Sequence, residues 1–242
     1  MDQAGHYRGL ALFDLDGTLT ESGPGIMRSI EAALQKQGIT DYTEEQIRAC
    51  VGPPLYDSFR DVFGMSGAAV EQAVADYRER YGRVGIFENR VYDGVREMLD
   101  SLAAGGILTG LASSKPEFYV RRILEYFHLD PFFPVVAGAT VDEKLVEKPD
   151  VIHLAIGRAE PFFPEGKLTG NRIWMSGDRF YDVNGAKTCG IRCVGVTYGY
   201  GSRKELEDAG ADAIAASPDE LGRILLGKFR EEEKRRDDEQ MG

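Results

Sequence analysis

The chain has 242 residues, 43% of them hydrophobic, and its 40 acidic side chains against 29 basic ones give a net charge of −11. That length suits one large domain or a core with a smaller appended one, and the acidic balance argues against a nucleic-acid polymer or a membrane surface as partner, since either asks for a basic face. No run reaches membrane-spanning length and no signal-peptide pattern opens the chain, while Cys50, Cys189 and Cys193, with no Cys-x-x-Cys pair, read as free thiols in a reducing cytoplasm.

The first element is the apolar run Leu10-Ala-Leu-Phe13, which suits a buried strand of a parallel sheet. It ends in Asp14-Leu-Asp16-Gly17-Thr18, so two carboxylates arrive at the strand's carboxyl edge, where open α/β sheets place their ligands. Taken alone, acids at a strand end are also common turn formers. Residues 24–37 follow as an amphipathic helix with Pro24 near its start and Gly38 as its stop. Thr43 and Gln46 make a capping-box pattern for a second helix, Gly52-Pro53-Pro54 breaks the chain, and helical patterns return near 55–63 and 67–83. No strand is expected between 21 and 90.

After Tyr92-Asp93-Gly94 the pattern alternates. Helix 94–104 leads to a strand at Ile107–Ala112 and helix 116–127 to a strand from Val135. Helix 150–159 leads to Ile173–Met175, and helix 181–189 to Ile191–Val196. Such alternation predicts βαβ units and a parallel sheet, so the first strand is separated from its partners by an all-helical insert. There is no internal repeat. From Lys228 the chain mixes both charges densely without apolar periodicity, which reads as a solvated helix end or a disordered tail.

The later strands also end in polar residues. Ser113-Ser114-Lys115-Pro116 offers a hydroxyl beside free backbone N–H groups, a phosphate cradle or equally an N-cap pair. Lys148, in Glu147-Lys148-Pro149-Asp150, stands just ahead of a helix, where most lysines are solvated. Ser176-Gly177-Asp178-Arg179-Phe180-Tyr181-Asp182 puts two acids four apart at a helix start; they suit a hard cation or the helix dipole.

In order, these elements resemble motifs I to IV of the haloacid dehalogenase (HAD) superfamily of hydrolases, over nearly the whole chain from Gly9 to about Gly222. The stretch from Gly177 to Gly190-Ile191, continuing through Gly195 to Ser202, is similar to phosphoglycolate-phosphatase-like members, as is Val51-Gly-Pro-Pro-Leu55. Two of the motifs depart from the family pattern: Ser113-Ser114 stands where relatives often have Thr-Asn, and Arg179 where many have Ser or Thr.

The resemblance implies a Rossmann-like α/β core of residues 1–21 and 89–227, an inserted helical C1 cap of residues 22–88, and a charged tail of residues 228–242. It implies Asp14 as nucleophile, Asp16 as general acid/base, and Ser113, Ser114 and Lys148 on the phosphoryl group. Mg²⁺ would be held by Asp14, Asp16 and Asp178, with Asp182 acting through water. Gly52, Pro53 and Pro54 would sit among the specificity residues of the cap. The expected activity is hydrolysis of a small phosphorylated metabolite, such as phosphoglycolate or a nucleoside monophosphate. A hexose-phosphate mutase of the β-phosphoglucomutase type and a catalytically silent binding protein are the alternatives. Oligomeric state is not legible.

Overall fold

The structure, a computed structural model, describes residues 7–140, 147–163 and 168–241. It divides into two compact units: residues up to Leu19 together with those from Val91 onward, and Thr20–Arg90 between them.

The first unit is built on a six-stranded parallel sheet. Its strands are β1 (Gly9–Phe13), β2 (Ile107–Pro116), β3 (Val135–Ala139), β4 (Ile173–Gly177), β5 (Arg192–Val196) and β6 (Ala213–Ala215), in the spatial order β3-β2-β1-β4-β5-β6. β1 is central, pairing Leu10 with Leu108 on one side and with Ile173 on the other. All five of its residues are buried, which is why its sequence is an unbroken apolar run rather than an alternating one. Leu10 and Leu12 join Ile152, Ala155, Met175 and Val183 in one core cluster, and the pleat sends Ala11 and Phe13 to the opposite face. Parallel neighbours need crossover connections. They come from α5 (Val95–Ala104), α6 (Glu117–Tyr126), α7 (Lys148–Ala159), α8 (Phe180–Thr188) and α9 (Arg203–Ala209), and α10 (Pro218–Met241) closes the unit.

The second unit is helical among its described residues, with α1 (Gly23–Lys36), α2 (Glu44–Ala49), α3 (Leu55–Asp57) running into a π-helical turn over Ser58–Val62, and α4 (Ala68–Arg83). Thr43 and Gln46 form the expected capping box. α1 packs on α4, where Tyr77 and Tyr81 stack and Glu88 pairs with Arg80 at 2.8 Å and Arg28 at 3.1 Å. The chain enters and leaves this unit side by side. Within the α/β unit Tyr92 N–H donates to Leu19 O at 3.1 Å, and within the helical unit Glu21 N–H donates to Arg90 O at 2.8 Å.

The structure narrows three expectations. β2 does not stop at Ala112 but runs to Pro116, with a register shift between Ser113 and Pro116. Neither Ser113 nor Ser114 caps α6, whose N-cap is Pro116. The segment from Lys228 to Met241 is the continuation of α10. Mixed charge there is helix-compatible: Lys228 pairs with Glu231 and Glu232 with Arg235 at i,i+3, and Phe229 and Glu232 are buried. No helix of the described residues is long and apolar enough to cross a membrane.

Candidate active site

The carboxyl ends of β1, β2 and β4 meet the start of α7 and α8, and there the charges gather. Asp14 follows β1 directly, its N–H held by Ser176 O at 2.9 Å. Asp178 follows β4, and Asp182 lies in the first turn of α8. One oxygen from each of Asp14, Asp178 and Asp182 lies within 4.8 Å of the others. Like charges this close repel strongly in a low-dielectric interior. Burial first, then Asp182 and Asp14, hold the Asp178 carboxyl well above the ordinary carboxylate range. Asp182 is also raised, by burial, against the opposing pull of Lys148.

Lys148 supplies a buried counter-charge. It is the first residue of α7 rather than a residue ahead of the helix, and its side chain is only 6% exposed, not solvated. Its Nζ stands 3.0 Å from Asp14 Oδ1 and 2.7 Å from Asp182 Oδ1, and donates to Ala112 O at 3.2 Å. Burial works against an ammonium here, but the Asp14 and Asp182 charges more than offset it and raise the Lys148 pKa.

Asp16, two residues on, is pointed elsewhere: its Oδ2 pairs with Lys115 Nζ at 3.1 Å. The two acids of the Asp-x-Asp therefore have different partners. Ser113 is buried on the same edge, its Oγ accepting from Lys115 N–H at 3.3 Å, and Ser114 follows it in β2. Gly52, Pro53 and Pro54 lie in the other unit, between α2 and α3.

The donor set fits a hard divalent cation. All three cluster ligands are carboxylate oxygens, and Asp178 Oδ1 is buried with no hydrogen-bond partner among the described residues, a costly state for a charged oxygen unless something positive satisfies it. Asp182 differs, since its Oδ1 faces Lys148 and its Oδ2 accepts from Arg179 N–H at 3.1 Å. The Arg179 side chain is turned away to Glu205, at 2.8 Å.

Sequence reasoning assigned no role to Lys115 or to the glycines around Asp178. Gly17 has φ 81°, and a Cβ there would overlap Asp178 Oδ2, so the turn after Asp-x-Asp requires glycine twice over. The visible signal was Gly directly after the second acid.

The haloacid dehalogenase-like hydrolase family profile matches residues 11–196. A Pseudomonas aeruginosa protein named 5′-nucleotidase is 38% identical over 195 residues, covering 81% of this chain and 85% of its own length. Mycobacterium tuberculosis PtkA, named a tyrosine-protein kinase, is 36% identical, covering 89% of this chain and 72% of its own. A Yersinia pestis phosphoglycolate phosphatase is 29% identical, covering 93% and 97%. Among solved structures, that of a predicted phosphatase from Clostridium acetobutylicum superposes with a TM-score of 0.83 at 38% identity, covering 92% of this chain and 100% of its own. With a family profile spanning most of its length, a six-stranded parallel sheet and acids gathered at the sheet's carboxyl edge, the chain belongs to the haloacid dehalogenase-like hydrolase family.

Proposed function

We propose that this chain is a Mg²⁺-dependent phosphatase of small phosphate monoesters that works through an aspartyl-phosphate on Asp14. The observation that carries the reading is the buried Lys148 ammonium between Asp14 and Asp182, beside an Asp178 oxygen with no partner among the described residues. Relatives named 5′-nucleotidase and phosphoglycolate phosphatase point to the same reaction class, loss of phosphate from a small phosphorylated metabolite.

The Asp14 carboxylate attacks phosphorus while the bond to the leaving oxygen breaks. Asp16 gives its proton to the departing alkoxide, then takes one from the water that hydrolyses the acyl phosphate. Inorganic phosphate leaves and Asp14 is regenerated. Lys148 neutralises one phosphoryl oxygen. Ser113 Oγ already accepts from the Lys115 amide, so its hydroxyl hydrogen remains to donate to another, together with the Ser114 N–H. Mg²⁺, held by Asp14, Asp178 and the Asp16 carbonyl, with Asp182 reaching it through water, would neutralise charge that a carboxylate and a phosphate dianion bring together. Residues 22–88 act as the cap in this reading, with Gly52, Pro53 and Pro54 selecting the leaving group. Free Cys50, Cys189 and Cys193 suit a reducing cytoplasm.

The test is phosphate release from a panel of monoesters, p-nitrophenyl phosphate, phosphoglycolate, nucleoside monophosphates and hexose 1-phosphates, with Mg²⁺ and with EDTA. Turnover is expected with Mg²⁺, to vanish with EDTA, and to be restored poorly by Ca²⁺, whose larger and looser shell misplaces the nucleophile. Full activity in EDTA overturns the metal. Isomerisation of a hexose 1-phosphate without phosphate release would instead identify a mutase.

A further inference from the structure

β5 ends at Val196, and the chain passes as Thr197–Gly201 toward α9. This segment carries no acid or base that the reaction uses, yet it is tied to both halves of the metal cluster. Thr197 N–H, donating to Ala215 O at 3.0 Å, fixes its base. The Tyr198 hydroxyl donates to Thr18 O at 3.1 Å, on the turn that follows Asp14 and Asp16. Tyr200 N–H donates to Asp178 Oδ2 at 2.7 Å.

Between these bonds the backbone comes in without side chains. A Cβ at Gly199 would stand 2.6 Å from Asp178 Oδ2 and would overlap Gly17 O as well, and one at Gly201 would overlap the Asp178 carbonyl. Neither Gly199 nor Gly201 has a left-handed φ, so glycine is needed at both for close approach alone. Gly17 crowds Asp178 Oδ2 from the other strand end. The fully buried Asp178 carboxylate is thus gripped between two bare backbones, with Oδ2 committed to the Tyr200 amide and Oδ1 without a partner among the described residues. Turning it to offer both oxygens would break the hydrogen bond from Tyr200 N–H and drive Oδ2 into main chain.

We propose that the Thr197–Gly201 loop is a positioning clamp that makes Asp178 a one-oxygen ligand and thereby selects a small six-coordinate cation over Ca²⁺. The inference rests on the Mg²⁺ reading above. Ca²⁺ takes six to eight oxygens and exploits two-oxygen carboxylates, whereas Mg²⁺ keeps several waters and asks for one or two carboxylates in a rigid octahedron. A clamped single oxygen serves the second and starves the first.

The test uses the full-length protein stripped of metal, with Gly199→Ala and Tyr198→Phe variants of unchanged circular dichroism. Bound Mn²⁺ is read from its electron paramagnetic resonance signal, and Mg²⁺ and Ca²⁺ affinities come from competition. Loss of an outer partner that orients a ligand typically costs roughly ten- to a hundred-fold in metal affinity. Gly199→Ala is expected to weaken Mg²⁺ by that factor and to move the Ca²⁺-to-Mg²⁺ ratio toward Ca²⁺, with Tyr198→Phe shifting both the same way but less. Wild-type affinities in both variants overturn the proposal, and so does an equal weakening of both ions, which marks a merely structural loop. Should Gly199→Ala not fold, Tyr198→Phe decides by the same ratio. A wild-type protein that binds no Mn²⁺ fails the metal reading itself, whereas wild-type binding with unaltered variants fails only the clamp.

Discussion

Two lysines in this molecule each bridge two carboxylates at nearly the same distances. In the α/β unit Lys148 Nζ stands 3.0 Å from Asp14 and 2.7 Å from Asp182; in the helical unit Lys36 Nζ stands 3.1 Å from Asp76 and 2.8 Å from Glu79. Exposure separates them, 6% for the Lys148 side chain against 52% for Lys36. Water and salt screen the exposed Lys36 and Glu79, even though Asp76 beneath them is buried, so this network is of small worth. The Lys148 group has lost its hydration and must be compensated wholly from within. Because a buried ion pair is poor evidence of a stability gain, its presence calls for a chemical reason, and phosphoryl transfer supplies one. Equal geometry does not mean equal purpose.

The comparison breaks most sharply at its acids. Asp14→Asn keeps shape but removes the attacking charge, so turnover should fall by several orders of magnitude, while Asp76→Asn should leave it near wild type. An acyl phosphate trapped in the wild type should map to Asp14; near-normal turnover in Asp14→Asn would sink the mechanism.

Next come the lysines. Lys148→Met strands two buried carboxylates, and losing one partner of such a group typically costs about 3–5 kcal/mol, readable by urea denaturation of the metal-free protein. Lys36→Met should shift the midpoint far less, because Lys36 is half exposed and Asp76 keeps its bond from Gln37, and should leave the rate unchanged. If the two variants destabilise alike, burial is not what distinguishes the clusters.

A subtler test is pH, because the two units respond with opposite sign. In the helical unit Asp76 is lowered, the Lys36 and Gln37 hydrogen bonds outweighing its burial, Glu79 is lowered by its bond to Lys36, and Glu88 by its bond to Arg80. Depressed carboxylates give stability that is complete above the ordinary values of 3.8 and 4.5 and is lost as pH falls through their folded values. Asp178 and Asp182 are raised, so the native α/β unit binds protons that the unfolded chain does not, and it gains stability as pH falls from neutrality toward 3.8. In EDTA, amide protection factors, taken relative to the intrinsic rate at each pH, should rise in the α/β unit on mild acidification and stay level in the helical unit, which weakens only further down. Saturating Mg²⁺ should flatten the first limb. Parallel behaviour of the two units would refute the assignment of opposite shifts.

The legible part of the site consisted of side chains announced by local pattern. An apolar run followed by acids marked Asp14, Asp16 and Asp178, because a buried strand must be apolar and its end need not be. Lys148 was legible only through its place between motifs, since nothing in Glu147-Lys148-Pro149 says that the ammonium is buried. The Thr197–Gly201 loop was legible as part of a family-like stretch but not in its role, because it acts through an amide hydrogen and through missing Cβ atoms, neither of which has a sequence signature beyond Gly-x-Gly. β2 outran its expected end because it continues past an irregularity in register. The three residues of β6 are too few to show a period, and α10 hid its length because ion pairs, not an apolar stripe, sustain its last turns.

The side-by-side entry and exit of the helical insert bear on how this chain folds. β1 must find β2 across the whole of Thr20–Arg90, with Gly9 pairing Ile107, and contacts so distant in sequence are ordinarily slow to form. An insert that has already folded delivers Leu19 and Tyr92 to each other, and the loop left to close is then short. Closure entropy follows the length of flexible chain rather than the residue count, so early folding of the insert would turn the distant β1–β2 pairing into an almost local one.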